Sequence, residues 1–186
     1  ILVHELAHEW WGNAVSAADW GDLWLHEGFA TYAEGVYVEE RYGRAEADRF
    51  FAEQAGYVHP KATLYRGRGT SAKEAFSGAV YCKGACVLNT LRHYLADDEL
   101  WWRVLREFQA RYRYRNAESE DLRAVLEELS QRDWQAFFAE WVYGAGYPRL
   151  TGRVGVGEGA LVLEISNPSE PTPFHVPLDL AWFEGS

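Results

Sequence analysis

The chain has 186 residues, 48% hydrophobic and 25% charged, and a formal net charge of −10. That length can bury a sizeable core, and the composition is that of a folded globular protein. The acidic balance disfavours nucleic acid and anionic membrane as partners, since both reward basic surfaces; no apolar run approaches the ~20 residues a spanning helix needs.

In chain order, a first helix is expected to end near Gly12-Asn13, a glycine being the common stop signal. Leu2, Val3, Leu6, Ala7, Trp10 and Trp11 surround its polar residues and predict an interior helix. Residues 15–22 read as a loop. A second helix is expected over 23–42, closed by Gly43, and a third over 45–57, stopping before Pro60. An irregular stretch follows over 61–77.

Four further helices show apolar residues at helical spacing. The first, over 78–96, carries Val87, Leu88, Leu91 and Leu95. The next is capped by Asp97 and presents Trp101, Val104, Leu105 and Phe108. Ser119 is the expected cap of the third, with Leu122, Val125 and Leu126, and Asp133 that of the last, with Phe137, Phe138 and Trp141. Residues 1–147 thus read as an all-α body. Beyond Gly144-Ala145-Gly146-Tyr147-Pro148, residues 154–156, 161–165 and 176–183 read as short strands, which makes 148–186 the start of a second, β domain. Cys82 and Cys86, four apart on one helix face, are poorly arranged for a bridge and read as small buried thiols. The chain contains no Met and opens on Ile1, so a piece cut from a longer polypeptide is expected.

The chemistry is concentrated at the start. His4 and His8 lie four residues apart, about 40° around a helix axis, so both rings can face one ion. Glu5 is roughly 100° from His4 at ~3.6 residues per turn, placed to act on water as a general base rather than as a ligand. This is the H-E-x-x-H arrangement of zinc peptidases. A longer three-histidine version is excluded, because it needs Gly and His where this chain has Trp11 and Ala14. Glu27, with eighteen residues between it and His8, is the obvious third ligand. Two imidazoles and a carboxylate with one position open are the ligand set of catalytic rather than structural zinc. Glu34 is about 10 Å further along the second helix, too far to share the ion. It could instead accept a ligand histidine's free ring N–H, or simply be a solvated carboxylate.

HELAHEWWGN at 4–13, LWLHEGFATYAE at 23–34, YCKG at 81–84 and EWVYGAGYPRL at 140–150 together resemble the M1 family of zinc aminopeptidases. The resemblance implies a mainly α, thermolysin-like catalytic-domain fragment followed by the start of a small β-sandwich. It makes His4, His8 and Glu27 the ligands of one Zn²⁺ per chain, Glu5 the general base and proton shuttle, and Glu34 a carboxylate behind the ligands. Tyr81 becomes the donor that stabilises the oxyanion, a role its residue type alone does not suggest. His26 stands where Asn is usual and Glu9 where Gln is frequent; His26 is expected to turn away from the metal. The family's Gly-x-Met-Glu-Asn segment, which holds a substrate's amino terminus, has no counterpart here.

The implied activity is release of N-terminal amino acids from peptides. The implied partners are a peptide substrate and the remaining domains of the parent polypeptide, and a cytoplasmic location is the family's commonest case. Rival readings are a non-catalytic binding or scaffold module on the same fold, or a zinc endopeptidase or epoxide hydrolase.

Overall fold

Helix α1 (Leu2–Ala7), strand β1 (Val15–Ala17), the long helix α2 (Trp24–Tyr42) and α3 (Arg44–Gly56) open the computed structural model, which describes residues 1–157, 160–166 and 174–176. A one-turn helix α4 (Ala72–Ala75) precedes a π-turn, Ala79–Lys83, which runs directly into α5 (Gly84–Leu95). Helix α6 (Asp98–Tyr112), strand β2 (Arg115–Ala117), α7 (Ser119–Ser130) and α8 (Gln135–Phe137) follow, and a second π-turn, Phe138–Tyr143, extends α8. The chain divides into two compact units, Ile1–Gly146 and Tyr147–Ser186. The first is mainly helical, as the periodicity predicts.

Helix α2 is the axis of the first unit. Trp24, Leu25, Phe29, Ala30 and Tyr32 are all buried on it, and it packs against α1, α3 and α5. Its approach to α5 is set by two glycines. A Cβ on Gly84 would lie 2.7 Å from the Gly28 Cα, and one on Gly28 would lie 2.9 Å from the Gly84 Cα. The two backbones touch there, and no side chain fits between them. Helix α2 stops where expected, because Gly43 takes φ 91°, a conformation few other residues tolerate.

Several expectations are corrected. The first helix is regular only to Ala7; beyond it Asn13, Ala14 and Val15 donate back five residues to the carbonyls of His8, Glu9 and Trp10, and Gly12 turns the chain at φ 136°. Nor is α1 an interior helix among the described residues: Leu2 is 84% exposed and Leu6 58%, because α1 packs on α2 through its opposite side. Residues 15–22 are not simply a loop. Val15–Ala17 pairs in parallel with Arg115–Ala117, and Trp20–Asp22 forms a 3₁₀ turn. That pairing partner lies a hundred residues away, beyond the reach of local pattern.

Asp97 caps α6 as expected, accepting from the Leu100 N–H at 2.9 Å. Asp133 accepts from the Gln135 N–H at 2.7 Å ahead of α8. Ser119 does not cap α7. Glu118 does, through a reciprocal box with Asp121, and the Ser119 hydroxyl is buried between the Trp24 indole, which donates to it at 2.8 Å, and the Asp22 carboxylate. The stretch 61–77 also holds one element, α4, whose first turn is closed by Ser71 and Glu74.

In the second unit, β3 (Thr151–Gly157) and β4 (Ala160–Ser166) pair antiparallel, with Thr151 opposite Ser166. The strand expected over 176–183 lies, past Val176, outside the described residues.

Candidate metal centre

Helix α1 supplies His4 and Glu5, its C-cap is His8, α2 supplies Glu27, Thr31 and Glu34, and the π-turn before α5 supplies Tyr81. The close contact of Gly28 with Gly84 brings the last two elements together, since Gly28 follows Glu27 and Gly84 ends the motif that Tyr81 begins. The site therefore depends on a packing contact as much as on its polar groups.

Glu27 is only 8% exposed, although it carries a carboxylate. Its Oε2 lies 3.2 Å from His4 Nε2 and 3.4 Å from His8 Nε2. The two imidazoles meet edge to face, with centroids 4.9 Å apart. Among the described residues, His4, His8 and Glu27 form the one group whose ligand atoms converge, all within 4.8 Å of one another. The spacing can be tested against an ion. Tetrahedral zinc with bonds of about 2.0–2.2 Å separates neighbouring ligand atoms by about 3.3–3.6 Å. The separations of Glu27 Oε2 from the two ring nitrogens, 3.2 and 3.4 Å, lie near that spacing, and the donor set, two imidazole nitrogens and one carboxylate oxygen, suits the same metal.

Each ring is held from behind. His8 Nδ1 lies 3.0 Å from the Trp11 carbonyl, so an Nδ1–H donates there and leaves Nε2 free toward Glu27. The Trp11 indole is itself stacked on Phe29, with centroids 4.0 Å apart, two residues beyond Glu27 on α2. His4 Nδ1 faces the Thr31 hydroxyl at 3.5 Å and the Glu34 carboxylate at 3.9 Å. Glu34 lies near His4 at a charge-interaction distance rather than in hydrogen-bond range.

Tyr81 lies nearly parallel to the His4 ring, 5.9 Å away. Burial, then the adjacent Glu27 carboxylate, and then Glu5, push its pKa up to about 12. It therefore remains a protonated donor across the neutral range. Glu5 is exposed and lines a cleft of about 290 Å³ together with His4, Thr31, Glu34, Gln54 and Tyr81. A larger hollow, about 540 Å³, lies by Trp10, Gln109 and Tyr114, but holds no such convergence of ligands.

His26 turns away. Its Nε2 accepts from the Ala17 N–H at 2.7 Å, and burial, aided by His8, lowers its pKa to about 4, so it serves as a neutral acceptor fixing β1 to α2. Glu9 accepts from Asn13 at 3.2 Å. Arg68 pairs with Glu118, and Arg111 with Glu107 and Glu128. Cys82 and Cys86 are free, with burial raising both thiol pKa values.

Four features escaped sequence reasoning. The Trp11 carbonyl and the Thr31 hydroxyl carry no local signal. Lys83 and Gly84 stand inside the Y-C-K-G motif, where the motif marked them without a reason. Lys83 is 2% exposed and donates to the carbonyls of Ala62 and Gly144 at 3.0 and 2.9 Å, tying the irregular stretch to the end of the second π-turn.

A helical domain that presents two imidazoles, one on α1 and one at its C-cap, and an α2 carboxylate to one point is the architecture of a metal-dependent hydrolase of the H-E-x-x-H class. Residues 1–141 match the model of the peptidase family M1 domain, and the chain belongs to that family. It is 35% identical over 134 residues to endoplasmic reticulum aminopeptidase 2 of Homo sapiens, a match covering 68% of this chain and 14% of that protein. A probable aminopeptidase 1 of Sulfurisphaera tokodaii is 28% identical over 194 residues, covering 96% of this chain and 24% of its own length. An M1 zinc metallopeptidase variant of Deinococcus radiodurans, solved with a Tyr-Ser-Ala substrate, superposes with a TM-score of 0.67 at 29% identity. It covers 80% of this chain and 33% of that one. The chain therefore spans only a minor part of the length of these relatives.

Proposed function

We propose that this chain carries the zinc-dependent centre of a metalloaminopeptidase, with His4, His8 and Glu27 holding one Zn²⁺ and a peptide as substrate. The observation that carries this reading is the buried Glu27 oxygen set 3.2 and 3.4 Å from two imidazole nitrogens whose opposite sides face protein oxygens. A carboxylate is costly to bury without such partners, and an ion shared with both rings offsets that cost. Zinc held there would supply Lewis acidity, polarising a carbonyl and acidifying water.

Everything else falls to the protein. Glu5, exposed at the cleft, takes a proton from the attacking water and later delivers it to the leaving amine. The Tyr81 hydroxyl donates to the oxygen on which negative charge develops. Glu34 adds negative potential behind His4. The aminopeptidase names and the Tyr-Ser-Ala ligand of the relatives support a peptide with a free amino terminus as substrate. The short reach of this chain along those relatives supports further domains of a longer polypeptide as its structural partners.

The decisive experiment pairs metal analysis with hydrolysis of an aminoacyl anilide by the longer parent polypeptide, wild type and Glu5→Gln, beside the isolated chain, which is expected to bind zinc and cleave poorly. The expected result is equal zinc in both and turnover only in wild type; near-normal turnover by Glu5→Gln would remove Glu5 from the mechanism. Loss of hydrolysis when the peptide terminus is blocked separates an aminopeptidase from an endopeptidase.

A further inference from the structure

We propose that Thr31 is a positioning residue of the metal centre, its hydroxyl linking His4 to Glu27; the inference rests on the zinc reading given above. Thr31 sits one turn beyond Glu27 on α2 and is 4% exposed. Its hydroxyl donates to the Glu27 carbonyl at 2.8 Å. A threonine inside a helix commonly makes that backward bond, and taken alone it would mean little. The second contact is different. With its hydrogen directed at the Glu27 carbonyl, the Thr31 oxygen keeps lone pairs, and His4 Nδ1 lies 3.5 Å away. His4 Nε2 is the nitrogen at 3.2 Å from the Glu27 carboxylate. An Nδ1–H directed at Thr31 therefore fixes both the tautomer and the ring plane that offer the Nε2 lone pair to a cation.

Spacing left Glu34 open between this task and a solvated carboxylate, and the family resemblance favoured the task. The nearer Glu34 oxygen is 3.9 Å from the same nitrogen, farther than the Thr31 hydroxyl at 3.5 Å. The arrangement parallels His8, whose Nδ1 faces a neutral oxygen, the Trp11 carbonyl. Thr31 differs in touching two proposed ligands at once. It is anchored to the backbone of Glu27 and to the ring of His4, so it sets the register between α1 and α2 at the point where the ion would sit.

Thr31→Val preserves the shape and removes the hydroxyl, whereas Thr31→Ser keeps the hydroxyl and removes the methyl. Zinc affinity of the full chain would be measured by competition with a chromophoric chelator. The visible spectrum of the Co²⁺-loaded protein and the unfolding midpoint of the metal-free protein would be recorded alongside. Loss of an outer partner of a metal-bound histidine costs about 10–100-fold in affinity, and Thr31→Val is expected to fall in that range with a shifted Co²⁺ spectrum. Thr31→Ser should bind zinc as wild type does, and Glu34→Gln should lose less than Thr31→Val. Wild-type affinity and an unchanged spectrum in Thr31→Val would overturn the role, and so would a Thr31→Ser variant as impaired as Thr31→Val. Should Thr31→Val not fold, Thr31→Ala against Thr31→Ser makes the same comparison without overfilling the site. A wild-type chain that takes up no zinc would sink the metal reading itself, and with it this inference.

Discussion

At the scale of single residues, the site works by setting side chains against their ordinary environments. Glu27 is buried where a carboxylate would otherwise be solvated, and two imidazoles compensate it. Tyr81 is held protonated beside two carboxylates, which is what an oxyanion donor requires. Tyr81→Phe should leave zinc content unchanged and lower kcat by about 10²–10³, the usual loss for one such donor; steady-state assays with matched metal analysis test this. Lys83 offers a separate check. Burial depresses its pKa from 10.5 to about 8, so between those values the unfolded chain binds a proton that the folded chain has lost. Its contribution to stability therefore rises with pH across that window and is least favourable below it. Lys83→Met removes both the titration and the two carbonyl contacts, at a cost of about 1–3 kcal/mol for the acceptors left unpaired. The deficit relative to wild type should widen from pH 8 to 10, as read by denaturant unfolding.

At the scale of elements, α2 organises the centre because it touches every other contributor. Its contact with the π-turn and α5 is backbone against backbone at Gly28 and Gly84. That contact explains the glycine of the Y-C-K-G motif: it is a spacing device that delivers Tyr81 to Glu27. Gly84→Ala would place a methyl 2.7 Å from the Gly28 Cα, inside any tolerable contact. Overfilling of that kind costs about 1–3 kcal/mol. Chemical denaturation should show the loss, and because the strain is relieved by moving α5, turnover should fall further than stability alone explains. The aromatic stack works in the same direction. Trp11 on Phe29 ties the turn after α1 to α2, and the carbonyl of the same tryptophan holds His8.

At the scale of the whole chain, the centre adds a polar bridge between α1 and α2 to their side-chain packing. Helix α1 has only Ala7 fully buried, and its outer apolar residues are exposed among the described residues. An ion bridging α1 to α2 should therefore stabilise the fold appreciably. Free zinc at a hundred times its dissociation constant contributes about 2.7 kcal/mol by mass action. Thermal unfolding with zinc should show a midpoint several degrees above that with a chelator. His4→Ala should abolish the difference while leaving the chelated midpoint nearly unchanged.

The linear order of residues was enough for the chemistry and for most helices. H-E-x-x-H, the eighteen-residue gap to Glu27 and the 3.6-residue periodicities are local or fixed-spacing signals, and each carries its own physical reason. Helix ends marked by Gly43 and Asp97 were legible for the same cause, since capping is settled within a few residues. What only the fold decided involves partners distant in sequence. β1 finds β2 a hundred residues on, and Ser119 forgoes capping because Asp22 and Trp24 reach its hydroxyl. Thr31 comes nearer to His4 Nδ1 than Glu34 does because the rotation and rise of α2 against α1 fix which side chain arrives there, and that relation exists only once the two helices have packed.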